Sequence, residues 1–113
     1  MRGESRIVFK SIFRMKVSDR ANGRLVGYVG DISAKGMKLL SDEAIEPGEV
    51  MHWRLRMRNS DGSTTLIDVD GEVLWSRMNA QTGYAESGVH IEQPSKEFTQ
   101  LIKRFSARSR GAR

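Results

Sequence analysis

Hydrophobic and polar positions alternate along most of the chain. Phe9, Ser11, Phe13, Met15 and Val17 alternate with Lys10, Ile12, Arg14 and Lys16, the period of a strand with one mainly apolar face. Residues 18–24 are turn formers around Asn22-Gly23, so a hairpin and a return strand over residues 25–32 are expected. A tight corner at residues 33–36 leads into a short apolar run, residues 37–40. After a Pro-Gly turn at 45–49, Met51, Trp53, Leu55 and Met57 alternate without a break with His52, Arg54, Arg56 and Arg58. A second hairpin turn at 59–63 precedes a strand at 64–69. A further strand at 71–77 buries either Val73 and Trp75 or the opposite set, and the last strand covers 84–91 after a loop.

The period then changes. Phe98, Leu101, Ile102 and Phe105 follow the i, i+3, i+4, i+7 spacing of one helical stripe. Ser95, after Pro94, is suited to cap the helix, and Glu97 places a negative charge in its first turn. There is no internal repeat and no long linker. Six or seven short strands followed by one helix predict a mainly β protein, a small antiparallel barrel plugged or flanked by a C-terminal helix.

Composition narrows what such a barrel could do. The 113 residues, 38% of them hydrophobic, supply one core and not two. With no cysteine, disulfides, thiolate metal sites and cysteine nucleophiles are excluded. No stretch reaches the ~20 apolar residues of a membrane span, and Lys10, Arg14 and Lys16 interrupt any signal-type block. A cytoplasmic protein is expected. The net charge is +5, and thirteen of the nineteen cations are arginine, whose planar fork suits phosphates and the guanine edge. That composition leans towards an anionic partner, although a solvated basic surface would have the same composition.

Catalytic patterns are scarce. His52 and His90 have no ligand-spaced partners, so no metal site is expected. Nucleophile elbows, phosphate-binding loops and dinucleotide fingerprints do not occur, and Gly27–Gly30 reads as a bend inside a strand. No enzyme activity and no cofactor are expected. Nucleic acid is not an expected partner either. Trp53 falls on the strand face opposite Arg54, Arg56 and Arg58, whereas a stacking platform needs both on one face.

The sharper signal is a D-x-S-x-x-G, formed by Asp31, Ser33 and Gly36 at a strand-to-strand corner. Asp accepts hydrogen bonds from a base edge, Ser donates or accepts, and Gly permits a positive-φ bend and close approach to a ligand. An Asx or Ser turn, bonding only the local backbone, would use the same residues. Its companion is R-x-x-x-R at Arg2 and Arg6, ahead of the first strand. The spacing recurs at Arg20/Arg24, Arg54/Arg58 and Arg104/Arg108, so only position distinguishes the first pair.

In that order, with a Gly71–Trp75 segment and a Gly88–Ile91 segment before the helix, the motifs resemble the PilZ domain family over essentially the whole chain. The resemblance implies a six-stranded antiparallel β-barrel with a C-terminal α-helix and a bacterial, non-catalytic receptor for cyclic di-GMP. It implies that Arg2 and Arg6 grip guanine and phosphate from a flexible arm at residues 1–8. Asp31 and Ser33 would hold guanine and phosphate from a barrel and helix spanning 9–106, with Gly36 shaping the corner. Residues 107–113 would form a disordered basic tail. Signalling would proceed by rearranging the arm for a protein effector. The alternative is a PilZ-like adaptor that binds protein only.

Overall fold

The computed structural model describes residues 7–8 and 15–111, with side chains from 15 to 104. Its elements are β1 (Ile7–Val8), β2 (Met15–Asp19), β3 (Leu25–Ser33), β4 (Gly36–Ser41), β5 (Val50–Arg58), β6 (Thr64–Met78), β7 (Ala85–Glu92) and α1 (Lys96–Gly111). All strand pairings are antiparallel, and the order β3-β2-β5-β6-β7-β4 closes on itself because β4 also pairs with β3. Closure makes a six-stranded barrel without free sheet edges around the ring. The two residues of β1 pair with Ile32 and Asp31, on the edge of β3 that β2 leaves after Tyr28.

Alternation places the core where the sequence puts it. Along β5, Trp53, Leu55 and Met57 are buried while His52, Arg54, Arg56 and Arg58 are exposed. Trp53, Met15, Ile32, Met37, Leu39, Ile91 and Val73 fill the barrel interior. Each such side chain contributes about 1.5–3 kcal/mol through burial. From α1, Phe98 and Leu101 join the same core, so the helix packs on the barrel through its apolar stripe. The Phe98 N–H donates to Ser95 Oγ at 3.1 Å, the N-cap bond expected from the sequence. The helical backbone continues to Gly111, through residues left outside the domain in the sequence reading. Ala, Arg and Ser add little helical cost once a helix is propagating.

Two differences from the expected strands have physical causes. The strands expected at 64–69 and 71–77 are one fifteen-residue strand, β6, running straight through Asp70-Gly71. Gly71 is there for space rather than for a turn, since a Cβ would lie 2.6 Å from the Val89 side chain. The second difference answers which face of 71–77 is buried. The register slips by one at Leu74, a bulge, so Val73 points into the core and Trp75 points out. The strand expected from Phe9 is described from Met15 onward, and residues 9–14 lie outside the described set.

Candidate ligand-binding site

The D-x-S-x-x-G corner is a two-residue turn, Ala34-Lys35, between β3 and β4. Register runs Ser33↔Gly36, Ile32↔Met37 and Asp31↔Lys38, and continues onto β7 as Gly36↔His90, Met37↔Val89 and Lys38↔Gly88. Ile32, Met37 and Val89 are buried in the interior, so their chain neighbours Asp31, Lys38 and Gly88 share the outer face. The row ends on β6 at Trp75, opposite Gly88. Asp31, Lys38, Gly88 and Trp75 thus form one band spanning three strand spacings, roughly 14 Å.

The band has distinct chemistry at each position. Asp31 is 7% exposed, and its Oδ2 lies 3.8 Å from the Lys38 ammonium, which is about one-third exposed. Ser33 is 1% exposed, and its hydroxyl donates to the Gly36 carbonyl at 3.4 Å, a long bond of the local kind. Gly36 has no positive φ, which corrects the bend expected from the sequence. What excludes a side chain is the approach of β7: a Cβ at Gly36 would lie 2.6 Å from the Val89 carbonyl oxygen. At the far end, the Trp75 indole lies across Gly88, where a Cβ would run into the ring, and it remains 41% exposed. The Arg77 guanidinium sits 5.2 Å from the indole centroid, over the ring, and pairs with Glu86 at 3.8 Å.

The structure therefore brings Asp31, Ser33 and Gly36 together on one outer face. Arg2 and Arg6 lie outside the described residues. The chain joins the sheet at Ile7, one residue after Arg6 in sequence, pairing with Ile32 and then with Asp31 through Val8. Lys38 and Trp75, on the same band, and Arg77, over the indole, were not singled out as candidates from the sequence. Alternation along 71–77 leaves the side of Trp75 open, and only the bulge at Leu74 decides it.

The arginines of the hairpin and of β5 behave differently. Arg20 Nη2 donates to Asp70 Oδ1 at 2.6 Å, and the same oxygen lies 2.7 Å from His52 Nδ1. Arg54 Nε donates to Asp68 Oδ1 at 2.7 Å, with Arg20 a further 3.6 Å from Asp68. The hydrogen bond from Arg54, with smaller help from Arg20, holds the Asp68 carboxyl below the usual carboxylate range. His52 and then Arg20 do the same for Asp70. Arg20 and Arg54 are thus tied into an ion network rather than merely solvated. Two open grooves of about 420 and 290 Å³ adjoin this side, between α1 and the first half of β6. Both are distant along β6 from Trp75. Among the described residues, no group of three or more His, Cys, Asp or Glu is placed to hold a metal ion. Among the same residues, no helix is long and apolar enough to cross a membrane.

A closed six-stranded antiparallel barrel with a single C-terminal helix packed on its core defines one class of small β domain. The chain belongs to the PilZ domain family, whose profile matches residues 2–108. Similar solved structures include the Klebsiella pneumoniae MrkH complex with cyclic di-GMP, at TM-score 0.75 and 13% identity. That match covers 100% of this chain and 56% of the other. Escherichia coli YcgR in complex with cyclic di-GMP matches at 0.72 and 15%, covering 98% of this chain and 47% of that one. The isolated YcgR PilZ domain with cyclic di-GMP matches at 0.65 and 14%, with 99% and 94% covered. The chain spans about half the length of the first two of these proteins, and these identities establish a shared fold. No curated protein sequence matches the chain.

Proposed function

We propose that this domain is a non-catalytic receptor for cyclic di-GMP. The observation that carries the reading is the register of β1. It seats Ile7 and Val8, the residues that follow Arg6 in sequence, against Ile32 and Asp31 of the D-x-S-x-x-G strand. The chemistry of the ligand fits that juxtaposition. Guanine offers O6 and N7 as adjacent acceptors, which a bidentate guanidinium from Arg2 or Arg6 matches. Its N1–H and amino group are donors, which the Asp31 carboxylate accepts. Two phosphates call for charge-assisted donors, and Arg2, Arg6 and the Ser33 hydroxyl are of the right kind. Gly36 keeps the corner tight against β7. The half-exposed Trp75 supplies an aromatic surface at the other end of the band.

Binding would engage the arginine segment and change the surface around β1, and a protein effector would read that change. Related structures with cyclic di-GMP bound support the ligand assignment. Calorimetric titration with cyclic di-GMP, with GTP and the linear dinucleotide as controls, tests it. Micromolar or tighter binding of the cyclic ligand alone is expected. Arg6→Ala should weaken binding about tenfold or more with the fold intact, since charged hydrogen bonds contribute about 1.5–3 kcal/mol each. Arg56→Ala, on β5, should leave affinity unchanged. Equal losses at both positions would mean diffuse attraction. Absence of heat and of any thermal shift would leave a protein-only adaptor.

A further inference from the structure

The band contains a cation that neither sequence motif includes. Lys38 lies directly across from Asp31 on the outer face, at the centre of the row that ends at Trp75. Its ammonium is 3.8 Å from Asp31 Oδ2, near the outer limit for an ion pair, and about one-third of the side chain is exposed. A long, partly solvated pair of this kind is weak and easily exchanged. On its other side the neighbouring β7 residue is Gly88, which has no side chain, with the Trp75 indole lying across it. In the row, Lys38 therefore stands between the carboxylate that suits a base edge and the aromatic surface beyond, and carries its ammonium on a flexible four-carbon stem.

We infer that Lys38 is a phosphate-binding residue of this site, and that it exchanges partners when the ligand arrives. In the free protein it is a counter-ion for Asp31. In the complex the guanine N–H donors take the Asp31 carboxylate, and the ammonium turns to a phosphate oxygen of the same dinucleotide. The exchange keeps both charges compensated throughout, since each group gives up one partner as it gains another. This inference rests on the receptor reading above and adds to it a third source of positive charge, on the barrel itself.

The test compares Lys38→Met, which keeps the length of the stem, and Lys38→Arg, which keeps the charge, with the parent chain. Each is titrated calorimetrically with cyclic di-GMP, and the phosphorus NMR spectrum of the bound ligand is recorded. Lys38→Met is expected to bind about tenfold more weakly and to shift at least one bound-ligand phosphorus resonance. Lys38→Arg should bind within about threefold of the parent. Unchanged affinity in Lys38→Met overturns the inference. So does a loss accompanied by an unmoved phosphorus spectrum, which would mean that Lys38 only supports Asp31. An Arg variant as weak as the Met variant overturns it as well. Failure of the parent chain to bind cyclic di-GMP would instead sink the receptor reading, so the two failures are told apart.

Discussion

Two faces of one barrel carry the same kinds of residue and use them in opposite ways. On the β5–β6 side, Arg20, His52, Arg54, Asp68 and Asp70 satisfy one another through contacts as short as 2.6–2.7 Å. On the β3–β4–β7 side, the ion pair between Asp31 and Lys38 is 3.8 Å long, and the row continues into a side-chain-free position and a half-exposed tryptophan. The five residues of the first face form a finished network. The second holds an acceptor, a cation and an aromatic surface in a row, with a long ion pair joining the first two. Arginine content is therefore a poor guide to a site, because carboxylates across the strand occupy some of those guanidinium groups. On the receptor reading proposed above, the ligand face is marked by charge held in place with exchangeable partners.

The largest effect that would break this comparison is at Gly36. A methyl group there meets the Val89 carbonyl, which is backbone and cannot swing away. Gly36→Ala should force β4 from β7, at about 1–3 kcal/mol and a melting temperature lower by roughly 5–15 °C. It should also abolish measurable ligand binding at protein concentrations where the parent saturates. Thermal unfolding and titration of the same sample check both. An Ala variant with parental stability would show that the close approach of β4 and β7 is dispensable, and that the corner is not fixed by it.

The next effect sets one aspartate against another. Asp31→Asn should cost tenfold or more in cyclic di-GMP affinity, because an amide turns one acceptor into a donor facing guanine N–H groups. Asp68→Asn, on the finished face, should leave the affinity within about twofold, since it removes a charge paired to Arg54 and Arg20. Titrations of both variants in one buffer decide it. Similar losses at the two positions would collapse the distinction between the faces into overall charge.

How far the sequence already carried this distinction depends on the period of each element. The alternation over 51–58 placed Trp53, Leu55 and Met57 inside and the arginines outside, and the structure agrees residue by residue. The helix was equally legible, down to the Ser95 cap. Asp31, Ser33 and Gly36 were found as a motif, but the reason for Gly36 was not, since contact with Val89 depends on β7, more than fifty residues away. The bulge at Leu74 was hidden for a related reason. One extra residue inverts the facing of everything after it, and no local composition marks it. Lys38 was illegible because its place beside the motif comes from its cross-strand neighbours, Asp31 and Gly88, and not from any spacing in the chain. The Arg20–Asp70 and Arg54–Asp68 pairs were hidden likewise, separated by 50 and 14 residues.

The smallest expected effect is on acid stability, and it isolates the finished face. Asp68 and Asp70 are held below the usual carboxylate range by Arg54, His52 and Arg20 in the folded chain. In the unfolded chain they return to about 3.9. As pH falls through that value the unfolded state takes up protons first, so the stabilisation is complete above it and is lost as pH drops towards the depressed folded values. Both groups are solvent-exposed, so the effect is small and is screened by salt. The melting temperature of an Asp68→Asn/Asp70→Asn variant should therefore fall less steeply than that of the parent between about pH 4.5 and pH 2. The difference should amount to roughly 1–3 °C at low ionic strength and shrink in 0.5 M salt, roughly the range where screening becomes short. Cyclic di-GMP affinity at neutral pH should not change. Acid limbs that run parallel would mean that the network contributes nothing to folding. A changed affinity would mean that the two faces are coupled through the barrel, and the finished face would then have to be counted as part of the receptor.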